Sequence, residues 1–152
     1  MRKFLWLLAV VMLAVACERD DLCLTKPAVP LNVAFADDTT EEPKALELTV
    51  LVDGDTLVPW QVSDTLALPL PVKGDSIRYL FVKRDSLTEN ADEIKVFFTP
   101  RDTFVSKACG FITVYENVDV QPVNDADVWI KRVELLENKC VTDTITHVKI
   151  YH

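Results

Sequence analysis

Leu46-Glu47-Leu48-Thr49-Val50-Leu51-Val52-Asp53-Gly54-Asp55-Thr56 is the stretch whose reading decides the fold class. Leu46, Leu48, Val50 and Val52 alternate with Glu47, Thr49 and Leu51. A period of two puts one row of side chains on a buried sheet face. Asp53-Gly54 follows at once, and these two residue types tolerate the positive φ of a two-residue hairpin turn. The return strand is therefore predicted over residues 56–62. Pro59 cannot donate to a ladder, so that strand belongs at an edge or ends there.

Working outward, the same period recurs on both sides. Upstream, Val29, Leu31, Val33 and Phe35 alternate with Pro30, Asn32 and Ala34, and residues 37–43 read as a polar turn. Downstream, Leu66, Leu68 and Leu70 alternate with Ala67 and Pro69, and the nearby prolines again suggest an edge. Lys73-Gly74-Asp75 is a turn, residues 77–82 a strand apolar on both faces, and residues 86–92 a polar loop. Ile94, Val96 and Phe98 mark another strand, residues 111–114 the next, and Val118 and Val120 a short one before Pro122. Residues 124–127 read as a loop. In residues 128–137, Trp129, Val133 and Leu136 suit a helix, whereas Val133 and Leu135 suit a strand. The surrounding strands favour the strand assignment. Residues 145–151 close the chain as a strand, and no segment has the length or capping of a long helix.

About seven to nine short strands with regular turn signals describe an all-β sandwich. An immunoglobulin-like topology is the first expectation, a small barrel or jelly roll the second. Trp60 and Trp129 read as packing residues rather than ligand platforms.

Length and composition fit one ordinary domain: 152 residues, of which 49% are hydrophobic, too many for a disordered chain. The 16 basic against 24 acidic residues give a net charge of −8, which argues against nucleic acid as a partner. Only 3 glycines and 2 histidines leave little material for a phosphate cradle or a His-based centre.

The first residues carry an address. Arg2 and Lys3 precede an uncharged apolar run over residues 4–15. That run is shorter than the roughly 20 residues of a spanning helix, so it reads as a secretory signal. Leu13-Ala14-Val15-Ala16-Cys17 resembles a bacterial lipobox, with Cys17 as the lipidated residue and residues 1–16 removed. The mature chain then has 136 residues (152 − 16) and a net charge of −10 (14 − 24). Its membrane attachment would be covalent lipid rather than a basic patch. Residues 17–26 form an acidic tether ahead of a single domain over residues 27–152. Glu18-Arg19-Asp20-Asp21 reads as a solvated linker, and it also resembles the acidic sorting tag of Bacteroidetes surface lipoproteins. Periplasmic residence at the outer membrane is the alternative.

Asp is followed by Ser or Thr at seven of its 15 positions, against roughly two expected by chance. At Thr39, Thr56, Thr65, Ser76, Ser86 and Thr144 the next residue is Thr, Leu or Ile. Asp102-Thr103-Phe104 is the exception. The triplet resembles the O-glycosylation acceptor of exported Bacteroidetes proteins. Turn chemistry followed by a strand-opening Thr explains it equally well.

Catalytic motifs are lacking. His147 and His152, five apart in the expected last strand, would face opposite sides. Cys140 and His147 lack zinc-ligand spacing, and Asp53-Gly54-Asp55 lacks the remaining ligands of a calcium loop. A hydrolase would have to be built from dispersed carboxylates such as Asp92, Glu93 and Glu116, and a deep pocket would have to gather them. No catalytic residue, metal or cofactor is expected.

Several short motifs together resemble an uncharacterised Bacteroidetes lipoprotein family of unknown function. They are Cys17-Glu-x-Asp-Asp-x-Cys23, Thr25-Lys26-Pro27, Leu68-Pro69-Leu70, Phe104-Val105-Ser106 leading to Cys109-Gly110, and the ending from His147 to His152. The resemblance spans the mature chain and implies no activity or cofactor. With Cys17 lipidated, three cysteines allow the pairs 23–109, 23–140 and 109–140, and loop entropies of about 4–5 kcal/mol do not separate them. The resemblance implies Cys23–Cys109, because both lie in its motifs and Cys140 does not. A bridge at Cys23 would also pin the place where a tether meets the domain.

The sequence thus leads to a lipid-anchored, non-enzymatic interaction or accessory module, with an outer-membrane barrel or other envelope protein as partner. The alternative is a glycan- or small-ligand-binding lipoprotein serving uptake.

Overall fold

The computed structural model describes Cys23 and residues 26–86, 88–123 and 128–152. The expected signal over residues 1–16, Cys17 and most of the tether lie outside the described residues. So does the expected loop over residues 124–127.

Nine strands form two sheets, with no helix among the described residues. They are β1 (Leu31–Ala36), β2 (Leu46–Val52), β3 (Asp55–Ser63), β4 (Thr65–Leu68), β5 (Ser76–Asp85), β6 (Thr88–Ser106), β7 (Gly110–Val123), β8 (Arg132–Leu135) and β9 (Val148–Tyr151). One sheet runs β4-β1-β9-β8, the other β3-β2-β5-β6-β7. The expected all-β sandwich is present. The sheets are not closed into a barrel, and in the four-stranded one β1 pairs parallel with β9 and antiparallel with β4.

The deciding hairpin forms as read. Val52 pairs with Asp55 across Asp53 and Gly54, whose φ values are 52° and 88°. β3 and β4, the strands next to prolines, are both edge strands. Between the layers lie Leu31, Val33 and Phe35 of β1, Leu48 and Val50 of β2, Tyr79 and Phe81 of β5, Ile94 and Val96 of β6, and Ile150 of β9. Phe35 meets Phe81 edge-on across the layers at 6.2 Å. Tyr79 and Tyr115 donate their hydroxyls to the Pro69 and Leu70 carbonyls at 2.6 and 2.7 Å, fastening the crossing from β4 to β5.

Four boundaries differ from the sequence expectation. The polar loop over residues 86–92 is a tight turn at Ser86 (φ 53°), and β6 starts at Thr88. Thr88, Glu89 and Asn90 pair with Asp85, Arg84 and Lys83, so their polarity reports a solvated strand end and not a loop. The two short strands expected around residues 111–120 are one strand, β7, which carries a positive-φ residue at Asn117 (52°). The segment 128–137 shrinks to β8, and the closing strand shrinks to β9. His147 and His152 therefore flank the last strand instead of lying within it.

Candidate functional site

β5 ends where Ser76 pairs with Phe97, but β6 and β7 continue together to Ser106 and Gly110. Residues 99–116 are thus a two-stranded arm reaching past β5. Pro100 fits because β6 has a ladder partner on one side only at that point. An isolated two-stranded hairpin is marginal in water, and pairings along the outer edge of β7 together with a bond at the tip hold this one. Along the outer edge of β7, the incoming chain runs parallel at Ala28, with Thr113 N–H donating to the Pro27 carbonyl (2.9 Å) and Val29 N–H to the Thr113 carbonyl (3.0 Å). At the tip, Cys23 is disulfide-bonded to Cys109, with the two Cα atoms 4.9 Å apart. The pairing implied by the family resemblance is the one present.

Cys140 is the remaining cysteine among the described residues, free and fully buried, and its backbone pairs with Tyr115. Burial, with Glu137 nearby, pushes its thiol up to about 12, so it stays protonated as a small core residue.

Phe104 and Phe111 stand opposite each other near the tip, edge-to-face at 5.5 Å. Phe111 continues the row of Tyr115 and Thr113. Exposure along that row rises from 0% and 6% to 67%, so the apolar row runs out from under the opposing sheet. Phe104 is 56% exposed and Val105 42%. Phe104 lies in one of the short motifs of the family resemblance, which implies no role for it. Its signal was an aromatic beside a turn, which local pattern does not distinguish from a core residue.

A groove of about 370 Å³ lies beside this arm, lined by Lys26, Ala28, Val29, Ile112, Val141 and Asp143 among others. A single loose ion pair, Lys26 to Asp143 at 3.8 Å, spans its charged residues.

The other candidates are dispersed. Trp129 is buried, and Trp60 is capped by the Arg84 guanidinium 3.7 Å above its ring, so the two tryptophans form no common platform. Asp92 is buried and accepts the Ile130 N–H at 2.6 Å. Its neighbour Glu93 pairs with Arg78 at 2.8 Å, and Glu116 with Arg101 at 3.0 Å. Glu116 aligns with Thr99, six residues from Glu93 along β6, about 20 Å at strand rise. These three acids do not converge. His147 is buried and bonded to Asn32, and His152 packs edge-on against Phe35 and Trp129. Among the described residues no group of three or more His, Cys, Asp or Glu side chains is placed to hold a metal ion. Of the possible acceptor hydroxyl residues, Thr39, Thr56, Thr65, Ser86 and Thr144 are exposed and Ser76 is half-buried.

Residues 46–152 match the model of a family of unknown function, DUF6452. No curated protein and no solved structure matches the chain.

Proposed function

The chain belongs to the family of unknown function DUF6452, and we propose that it serves as a lipid-anchored cell-envelope protein, a non-enzymatic interaction or accessory module at the outer membrane. Cys17 carries the lipid, residues 1–16 are the signal removed, residues 17–26 the tether and residues 27–152 the domain. The observation that carries this reading is the bond from Cys23 to Cys109, six residues after the lipobox cysteine. Disulfides belong to oxidising compartments, which agrees with an export signal. A tether fixed at its domain end also suits a protein held at a surface. An outer-membrane barrel or another envelope protein is the proposed partner. The hydrolase reading gains no support from Asp92, Glu93 and Glu116, which do not converge, and for the alternative of a glycan- or small-ligand-binding lipoprotein Trp60 is the exposed tryptophan, with Arg84 stacked on its ring.

Changing Cys17→Ala is expected to release the protein from membranes or leave its signal uncleaved. A variant that stays membrane-bound with the mature mass of the parent would reject the lipid anchor. Modification of the Asp-Ser/Thr triplets belongs to the same proposal, because five of the six hydroxyl residues are exposed. Mature protein from its native host should be heavier than lipid plus polypeptide. The excess should vanish when Thr39, Thr56, Thr65, Ser76, Ser86 and Thr144 are replaced, and an intact mass without excess rejects it.

A further inference from the structure

Resting on the reading of Cys17 as the lipid anchor, we propose that the tip of the β6–β7 arm docks into the bilayer that holds the anchor, with Phe104 and Phe111 in the boundary between headgroups and acyl chains. Three observations point to lipid as the occupant. The first is reach. Cys23 lies six positions after Cys17, a span of at most about 20–22 Å fully extended. The disulfide fixes Cys23 to Cys109, so this short leash holds the arm tip near the membrane.

The second observation is composition. Residues 103–112 contain no carboxylate and one lysine, Lys107, although the whole chain has 24 acidic residues. An anionic headgroup layer would repel an acidic protein in general, yet it meets no like charge within residues 103–112; the nearest carboxylates in sequence are Asp102 and those of the tether, Glu18, Asp20 and Asp21. The third is shape. Phe104, Val105 and Phe111 are exposed together at the end of a projecting two-stranded arm, where apolar side chains reach a lipid interface while the rest of the fold stays in water. The edge-to-face pair gives that tip a compact apolar end rather than a flat ring for sugar stacking.

The test uses the lipoprotein purified from its own membranes with Phe104→Trp or, separately, Phe111→Trp. Each is reconstituted into phosphatidylcholine vesicles with and without brominated acyl chains. Trp60, on the opposite edge strand of the same sheet, and the buried Trp129 together supply the reference signal in the parent, which is subtracted from each variant. Both introduced tryptophans are expected to lose emission roughly twofold or more to the bromines, while the parent signal is unchanged. Equal emission in both vesicles overturns the docking. A blue shift without quenching also overturns it, because a second copy or another protein would then cover the tip. Acylation is read separately, from the mass of the Cys17 peptide and from flotation with vesicles. A chain without lipid rejects the anchor and the docking with it. A lipidated, floating chain whose new tryptophans are unquenched rejects the docking alone.

Discussion

His147 is held by its neighbours in one protonation state. Its Nδ1 accepts the Asn32 backbone N–H at 3.0 Å while the His147 backbone N–H donates to the Asn32 carbonyl at 2.9 Å. Asn32 Nδ2 also donates to the carbonyls of Asp143 and Ile145, tying that loop to β1. An accepting Nδ1 requires the neutral ring, and protonation would break the bond. Burial lowers the pKa of His147 against the opposing pull of Glu137 and the Thr142 backbone. Burial also lowers that of His152, which faces Lys44, Lys83 and Asp37. The unfolded chain therefore binds protons below about pH 6.5 that the folded chain does not yet bind, so stability falls with pH from there downward. Asp37 acts in a lower window. Hydrogen bonds from Lys44, and from the Thr40 and Thr39 N–H groups, hold its carboxyl below its ordinary value. Its contribution is lost only as the pH falls below about 4. The denaturant midpoint should be lower at pH 5.5 than at pH 7.5, and an equal midpoint would contradict the histidine account. Asp92 offers a second test at this scale. Asp92→Ala leaves the buried Ile130 N–H without its acceptor and is expected to cost about 2–3 kcal/mol in equilibrium unfolding.

At the scale of elements, the arm depends on its fastening. The disulfide closes a chain separation of 86 residues. Replacing Cys23 and Cys109 by alanine should lower the unfolding free energy by about 2–4 kcal/mol, and proteolysis should begin in the arm. Cleavage that starts instead in the body of the sandwich would count against the arm as the weakest element. The parts of the fold legible in the sequence are those with one wet and one dry face, such as β1 and β2, where alternation and the Asp53-Gly54 turn carry the signal. The arm was illegible for the complementary reason. Residues 99–106 are solvated on most sides, so no alternation marks them as strand. The positive-φ Asn117 broke the period of β7 and made one strand read as two. Thr88, Glu89 and Asn90 were read as loop because their ladder partners lie at an equally polar strand end. In the candidate site, the cysteine pairing was narrowed by family motif and not by spacing. The exposure of Phe104 and Phe111 depends on where the opposing sheet ends, which local sequence does not encode.

The whole molecule is closed by its last strand. β9 lies inside the four-stranded sheet, parallel to β1 on one side and antiparallel to β8 on the other. Val148 and Ile150 are fully buried and Tyr151 nearly so, with the Tyr151 hydroxyl donating to Glu134 at 2.6 Å. Beyond the strand, His152 N–H donates to the Ala36 carbonyl at 3.0 Å. Without β9, β8 has no strand partner and the inner edge of β1 is open. The face of Phe81 and Ile94 in the other sheet would then lose part of its cover. The loss is therefore not local: it opens the core from one layer, in a fold whose first and last strands must find each other across the full length of the domain. Deleting residues 148–152 should abolish cooperative thermal unfolding and near-ultraviolet dichroism, leaving a collapsed or aggregating chain. Single substitutions on the same strand grade the effect. Ile150→Val should cost about 1 kcal/mol and Ile150→Ala about 3–4 kcal/mol, as expected for a fully buried aliphatic side chain. A truncated chain that still melts cooperatively with the near-ultraviolet spectrum of the parent would mean that β1 and the five-stranded sheet form a sufficient core alone. The parallel closure would then be an ornament of the fold rather than its lock.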